Sequence, residues 1–201
     1  AGDYPDIIVG CTGGGSNLAG LMFPFLGQQL RGGQKIDIIG CEPLSCPSFT
    51  KGKYAYDHGD MARMTPLIKM HTLGSDFLPP ANHSGGLRYH GMSYHLSHLY
   101  DLGLMRAKAY GQKDCFEAGV IFGKQEGIIP APEGNHAVKG AIDAALECKE
   151  KGESKTILFN LCGHGHFDMT AYDDYFSGKL ADDFYDEASA NKSLSQLPEI
   201  A

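Results

Sequence analysis

A run of three glycines directly after a short apolar segment constrains the fold more than any other feature of this sequence. The apolar, β-branched segment DIIVGC at 6–11 is followed at once by TGGGSN at 12–17. The apolar residues that come next recur at helical spacing, and they are Leu18, Leu21, Met22, Phe25 and Leu26. Glycines let the backbone turn tightly between two elements. These residues therefore predict a strand, a tight turn and a helix.

Strands and helices alternate along the rest of the chain. Apolar runs at 35–41, 105–110 and 156–162 are typical of buried strands, and the segments 92–102 and 112–124 have helical patterns. A further helix is predicted to begin within PAPEGNHA, and a short one follows GHGHFD. Nearly continuous apolar strands that alternate with helices indicate a parallel sheet covered on both faces. The predicted fold class is α/β, a three-layer arrangement with mostly parallel strands.

The length of 201 residues suffices for one ordinary domain. We predict an α/β region over residues 1–180, interrupted by a long irregular excursion at 43–91 that is rich in Gly, Pro, Ser and His. A long excursion in a compact domain is typical of a functional or interface segment. The acidic, polar C-terminal tail at 181–201 is predicted to be a terminal helix or a frayed end.

Charge and composition exclude several classes of protein. Lys and Arg number 17 against 24 Asp and Glu, which gives a net charge of −7 and argues against a nucleic-acid or anionic-membrane binder. No apolar run approaches the roughly 20 residues that a membrane span needs. Most of the six cysteines lie in apolar segments, and they lack the short regular spacing of a disulfide framework, so we expect reduced thiols. The composition predicts a cytoplasmic protein with no nucleic-acid and no membrane partner.

The glycine turn also predicts a binding site for an anion. The backbone N–H groups of TGGGSN would converge at a helix N-terminus, which carries about half a positive charge. Ser16 adds a hydroxyl group there, and Asn17 adds an amide. Such a cup suits a phosphate group. The pattern matches neither the nucleoside-triphosphate nor the dinucleotide glycine motif, and a glycine turn without a ligand is the alternative.

Two later segments carry side chains with possible chemical roles. Glu133 stands at the start of a predicted helix, where a carboxylate is either a favourable charge near the helix dipole or a site residue, and Asn135 and His136 are equally ambiguous. CGHGHFD at 162–168 follows the last strong strand, but it offers no diagnostic ligand spacing, so we predict no metal site. Cys162 could donate a hydrogen bond to a heterocycle nitrogen or act as a nucleophile.

Several motifs, taken in order, resemble the tryptophan synthase β-chain family. They are GCTGGGSN at 10–17, TPLIKMHTLG at 65–74, HSGGLRYHGM at 83–92, EGIIPAPEGNHAVKGAID at 126–143 and ILFNLCGHGHFD at 157–168. GLRYHG and GHGHFD are typical of the family's second, β-like branch. The resemblance, which excludes the tail, is to the C-terminal half of the family's chain. It implies a fold-type II enzyme that uses pyridoxal 5′-phosphate (PLP) to condense L-serine with indole into L-tryptophan and water.

The resemblance also implies which residues would bind the cofactor. The residues at the positions of the family's phosphate loop are Gly13, Gly14, Gly15, Ser16 and Asn17. Glu133 matches the glutamate beside the cofactor ring. Cys162, followed by Gly163, stands where most members have a serine whose hydroxyl group faces the pyridine nitrogen. A thiol is a weaker hydrogen-bonding group, so this cysteine departs from the family's pattern, as does EGNHA after Glu133.

No catalytic residue is expected among these residues. In the family, the lysine that forms the Schiff base with PLP and the acid–base carboxylate belong to the first half of the chain. That lysine follows a histidine and precedes an asparagine, and none of the lysines here stands in such a motif. The resemblance therefore implies a lysine-bearing N-terminal half as a partner. This segment alone is expected to be inactive.

The resemblance implies further partners and leaves alternatives open. Members of the family are homodimers, and 43–91 is the expected contact region. A monovalent cation and an α subunit stay open, because backbone carbonyl ligands and docking surfaces leave no side-chain signature. One alternative is a PLP-dependent serine dehydratase or another β-replacement enzyme. The other is a non-catalytic module that binds a phosphate ligand.

Overall fold

The structure is a computed structural model that describes residues 2–182 and 184–199. Its strands are β1 (Ile7–Cys11), β2 (Asp37–Pro43), β3 (Lys53–His58), β4 (Leu67–Thr72), β5 (Arg106–Tyr110) and β6 (Ile157–Phe159). Its α-helices are α1 (Ser16–Leu30), α2 (Tyr94–Asp101), α3 (Gln112–Glu126), α4 (Pro132–Lys151), α5 (Met169–Phe176) and α6 (Glu187–Leu194). A short 3-10 helix spans Gly85–Leu87. The predicted alternation of strands and helices is confirmed.

The central sheet has four parallel strands in the order β5-β2-β1-β6. β1 is an inner strand, and its Val9 pairs with Ile39 of β2 on one side and with Phe159 of β6 on the other. Because all four strands run in the same direction, their carboxyl ends lie at one edge of the sheet. The loops that follow β1 and β6 therefore leave the sheet side by side.

Helices cover both faces of this sheet and make three layers. Side chains that alternate along each strand point to opposite faces. One face packs against α1 and α2 in a cluster that comprises Ile8, Leu18, Met22, Leu26, Ile38, Leu96 and Met105. The other face packs against α3 and α4 in a cluster that comprises Val9, Ile39, Cys41, Cys115, Ala144 and Cys148. The predicted three-layer α/β class is confirmed.

The prediction of an irregular excursion at 43–91 is wrong for its central part, which forms β3 and β4. β3 and β4 pair there as a separate antiparallel sheet. Tyr54 stands opposite His71, and the two rings stack with centroids 4.9 Å apart. At the end of β4 the buried Thr72 hydroxyl donates to Asp57 Oδ2 at 2.7 Å. These cross-strand contacts stabilise the pairing. The prediction missed the two strands because it relied on the glycine- and histidine-rich composition of the whole segment.

The strand predicted at 156–162 is shorter in the structure, and the tail at 181–201 contains helix α6. β6 ends at Phe159 instead of continuing to residue 162, and beyond it the carbonyl group of Gly163 accepts the N–H of Ala131 at 2.9 Å. In the tail, α6 packs Ala190 against Leu73 and Phe77. Positions 183, 200 and 201 of the predicted tail, and residue 1, lie outside the described residues. No described helix is long and apolar enough to cross a membrane.

Helix α4 approaches the sheet closely at Gly140. A Cβ atom at this position would meet Cys41 Sγ and would lie 2.8 Å from Val9 Cγ1. Cys41 and Val9 belong to the inner strands β2 and β1, so neither backbone can retreat without disturbing the ladder. The glycine therefore sets the distance between the helical layer and the sheet.

We expect Gly140→Ala to lower the free energy of unfolding by about 1–3 kcal/mol, because the added methyl group overpacks this contact. Gly20→Ala is the matched control, since Gly20 lies in α1 and a Cβ atom there would meet no atom within 4 Å. That change should stabilise the protein by about 0.5–1 kcal/mol through helix propensity. Urea denaturation followed by circular dichroism measures both effects. Equal stability changes in the two variants would contradict the packing argument.

Candidate functional site

Three loops meet at the carboxyl edge of the sheet. One follows β1 and contains the glycine run, and the second follows β6 and contains Cys162. The third is the 3-10 helix, where Leu87 packs with Cys11 at the end of β1 and with Ala137 of α4. Parallel α/β sheets bind ligands at this edge. The sequence-predicted site residues before α1, at the start of α4 and after β6 are thus brought together.

The glycine loop presents backbone donors at the N-terminus of α1. Thr12 N–H still belongs to the sheet and donates to Cys41 O at 2.8 Å, whereas the first bond of the helix runs from Ala19 N–H to Gly15 O. Between them, N–H groups without a hydrogen-bond acceptor among the described residues belong to Gly13, Gly14, Gly15, Ser16 and Asn17. Unpaired N–H groups at a helix N-terminus form a site for an anion.

Close packing explains why this loop consists of glycine. A Cβ atom at Gly13 would lie 2.7 Å from Gly86 O, and one at Gly15 would lie 2.7 Å from Met92 Sδ. Gly15 also adopts a φ of +95°, which L side chains rarely occupy. Gly14 differs, because its Cβ would make only ordinary contact, at 3.5 Å, with the Tyr89 ring. The loop is therefore fixed from outside by residues 86–92.

Asn17 is held by an asparagine that the sequence analysis did not select. Asn160 Nδ2 donates to Asn17 Oδ1 at 3.0 Å, and the Asn160 backbone N–H donates to Val9 O at 3.3 Å. This pair connects the loop after β6 to the first turn of α1 and leaves the Asn17 amide nitrogen as a donor. The signal that could have found Asn160 is a polar amide inside the apolar run TILFNLC.

Glu133 lies in the first turn of α4 and contacts the 3-10 helix. Its Oε1 accepts the N–H of Gly86 at 2.9 Å, and a Cβ atom at Gly86 would lie 3.1 Å from the same oxygen. Gly86 is the second contact that sequence reasoning missed, although the paired glycines of HSGGLRYHGM indicated an unusual segment. Glu133 therefore connects α4 to the 3-10 helix that packs against the glycine loop. The other carboxylate oxygen of Glu133 accepts no hydrogen bond from a described residue.

Cys162 is an exposed residue that lies beside the buried Cys11, with the two Sγ atoms 3.5 Å apart. A hydrogen bond from Cys11 lowers the pKa of Cys162 to about 7, against the opposing effects of burial and of the Glu133 charge. The same interaction and burial raise the pKa of Cys11. Cys162 is thus the thiol that ionises first, and Cys11 is the donor that stabilises its thiolate.

The remaining candidates have structural contacts. Burial lowers the pKa of His136 to about 4, and its Nδ1 bonds to Pro132 O at 3.0 Å. Asn135 Nδ2 donates to the hydroxyl group of Tyr172 at 3.1 Å, which ties α4 to α5. Near Cys162, the His166 N–H donates to His164 Nδ1 at 3.3 Å. Within 2–182 and 184–199, no three His, Cys, Asp or Glu side chains are grouped as metal ligands.

A model of the family described as "Pyridoxal-phosphate dependent enzyme" matches residues 1–163, which include every loop of this site. The chain belongs to this family. The phosphate-ester cofactor of the family is compatible with the unpaired N–H groups before α1, and its aromatic ring is compatible with the open edge beside Cys162. The predicted fold type is confirmed by the same match and by the sheet topology.

Curated relatives confirm the resemblance that the motifs predicted. "Tryptophan synthase beta chain 2" of Methanosarcina mazei is 58% identical over 178 residues, which are 89% of this chain and 40% of that protein. The protein of the same name from Aquifex aeolicus is 57% identical over 185 residues, 90% and 43% of the two chains. "Tryptophan synthase beta chain" of Pyrococcus horikoshii is 51% identical over 196 residues, 98% and 42%.

The chain spans about two-fifths of the length of these curated relatives. A solved structure, an L-serine ammonia-lyase from the fungus Rhizomucor miehei, superposes with a TM-score of 0.61 at 14% identity. The superposition covers 89% of this chain and 51% of the ammonia-lyase chain. At that identity the likeness concerns the fold.

The Cys11 hydrogen bond predicts a pH dependence of Cys162 alkylation. In the wild type, the rate with iodoacetamide should rise with a midpoint near pH 7, because the thiolate is the nucleophile. Cys11→Ala removes the donor and should move the midpoint toward the ordinary value of 9.0. Cys11→Ser keeps a donor and should leave the midpoint near that of the wild type. Peptide mapping by mass spectrometry measures the rate at Cys162, and an unchanged midpoint in Cys11→Ala would refute the assignment.

Proposed function

We propose that this chain supplies the phosphate- and ring-binding part of a PLP enzyme that condenses L-serine with indole to give L-tryptophan and water. The observation that carries the proposal is the row of N–H groups from Gly13 to Asn17 that have no acceptor among the described residues and lie on the same sheet edge as Cys162. Relatives at 51–58% identity that are named tryptophan synthase β chain support the choice of reaction.

The phosphate of the cofactor would lie at the N-terminus of α1. The N–H groups of Gly13, Gly14 and Gly15 would donate to its oxygens, together with those of Ser16 and Asn17. The exposed Ser16 hydroxyl and the amide nitrogen of Asn17, which has no acceptor among the described residues, add side-chain donors. Since a phosphate ester is an anion, the positive end of α1 stabilises it further. The net charge of −7 does not oppose this binding, because the site is built from neutral N–H groups.

The ring would lie between the loop after β6 and the start of α4. Cys162 would face the pyridine nitrogen, with Gly163 next to it and the free carboxylate oxygen of Glu133 at the side of the ring. When bound, PLP supplies an electron sink for β-elimination and β-replacement at an amino acid. In its thiol form Cys162 is a weak, neutral partner, which would leave the pyridine nitrogen unprotonated. This state suits β-replacement better than transamination.

The chain would work together with groups that it does not contain. The lysine that anchors PLP covalently, and the acid–base carboxylate, would belong to the part of the relatives' length that this chain does not span. By itself the segment would then be inactive. A homodimer contact within 43–91 is consistent with the exposed side chains of Met61, Met64 and Leu78. Association with an α subunit and a cytoplasmic location belong to the same proposal.

The proposed phosphate position can be tested with a pair of variants that differ only in charge. Gly14→Asp and Gly14→Asn fit the same open space beside Tyr89. We expect the aspartate to weaken PLP binding about 10- to 100-fold relative to the asparagine, because it places a negative charge beside the phosphate. Equilibrium dialysis of the full-length protein with PLP measures both affinities. Equal affinities would place the phosphate elsewhere.

The reaction itself is tested on the purified full-length protein with PLP, L-serine and indole. We expect L-tryptophan by liquid chromatography and mass spectrometry, and a pyridoxyl adduct after borohydride reduction. Pyruvate without tryptophan would instead support a serine dehydratase. Absence of any adduct in the full-length protein would support a non-catalytic module that binds a phosphate ligand.

A further inference from the structure

Two thiols from distant parts of the chain meet beside the proposed ring site. Cys11 ends β1, Cys162 follows β6, and their Sγ atoms are 3.5 Å apart. Cys11 is buried and Cys162 is exposed. A ring contact would involve Cys162, whereas the buried Cys11 sulfur faces Cys162 Sγ. We propose that Cys11 and Cys162 are a redox modification site that forms a reversible disulfide.

The positions of the two residues permit this bond. A disulfide has an S–S length of about 2.05 Å, so the sulfurs need to approach by about 1.5 Å. Beyond the last pair, Val9 with Phe159, the Asn160 N–H donates to Val9 O at 3.3 Å, so the segment that leads to Cys162 leaves β6 beside the end of β1.

Cys162, and not Cys11, would move to bring the two sulfurs into bonding distance. Cys11 is held in the ladder between Cys41 and the loop after β6. Cys162 lies outside any strand and is followed by Gly163, whose carbonyl group is bonded to Ala131. A rotation of the Cys162 side chain therefore brings the sulfurs together without breaking the sheet.

Hydrogen peroxide is the oxidant that this pair would use. The Cys162 thiolate attacks one peroxide oxygen, so an S–O bond forms, the O–O bond breaks, and the departing hydroxide takes up a proton to become water. Cys11 then attacks the Cys162 sulfur of the sulfenic acid. The S–S bond forms, the S–O bond breaks, and the hydroxide leaves as water with the proton of Cys11. Overall, two thiols and one peroxide give a disulfide and two waters.

The accessibility and acidity of the two thiols fit this order of steps. Cys162 reaches solvent, and its pKa is lowered to about 7 by the Cys11 hydrogen bond, while the pKa of the buried Cys11 is raised. The charged group that faces both sulfurs from α4 is Glu133, and the Cys41 thiol faces Cys11 from β2. Both would raise the pKa of the sulfur they face, so the hydrogen bond is the decisive favourable interaction.

A disulfide would change the ring site, a consequence that depends on the proposed function. Cys162 would turn toward β1 and lose its hydrogen-bonding capacity toward a ring nitrogen. The phosphate loop would stay intact, because Gly13 and Gly15 pack closely against Gly86 and Met92. Oxidation would therefore weaken PLP binding without abolishing it, and a dithiol would restore it by thiol–disulfide exchange.

The test for the disulfide uses the purified full-length protein without PLP. We expect mild hydrogen peroxide treatment to link the peptides that carry Cys11 and Cys162 within one chain, with the loss of two hydrogen atoms on intact-mass analysis. Cys11→Ser and Cys162→Ser should each abolish the link. Cys148→Ser, which changes a buried cysteine on α4, is the matched control and should leave it unchanged. Sulfinic acid at Cys162, links between chains, or no modification would each overturn the proposal.

A second measurement separates this inference from the proposed function. We expect the oxidised protein to bind PLP at least about tenfold more weakly than the reduced protein, with recovery after dithiothreitol. A disulfide that forms without any change in PLP affinity would overturn the effect on the ring site. Absence of PLP binding by the reduced full-length protein would contradict the proposed function. The link between the Cys11 and Cys162 peptides would still show whether the disulfide forms.

Discussion

The parallel pairing of β1 with both β2 and β6 is the constraint on which the rest of the structure depends. At the amino edge, Asp6 fixes this register, because its Oδ2 accepts Thr156 N–H at 2.8 Å and its carbonyl group accepts Asp37 N–H at 2.9 Å. At the carboxyl edge, the same register delivers the glycine loop and Cys162 to one place. A shift of one residue would exchange the two faces of a strand and separate both pairs of contacts.

The central sheet could be predicted from the sequence because its signals are local. The apolar run before Thr12, the glycines, and the helical spacing from Leu18 to Leu26 all lie within one short stretch. The glycine loop was also selected as an anion site from local reasoning, and the structure leaves its N–H groups unpaired among the described residues. Such signals need no knowledge of tertiary contacts.

The contacts that assemble the site could not be predicted in this way, because they join distant residues. Asn160 and Asn17 are separated by 143 positions, Gly86 and Glu133 by 47, and Cys11 and Cys162 by 151. The β3–β4 hairpin was missed for a related reason, since its stability comes from cross-strand pairs such as Tyr54 with His71. Periodicity within one segment contains no information about the partner segment.

The thiol pair shows how one residue type acquires a role from its neighbour. A serine at position 162 would stay neutral at physiological pH, whereas Cys162 ionises near 7 because Cys11 donates to it. The negative charge of Glu133 opposes that ionisation, but the hydrogen bond between the two Sγ atoms, which are 3.5 Å apart, has the larger effect on the pKa. The charge at the ring site would therefore depend on the β1–β6 register, which holds Cys11 in place. A fold that brought the phosphate loop to the same edge in another register would bind the phosphate equally well, but would leave Cys162 an ordinary thiol.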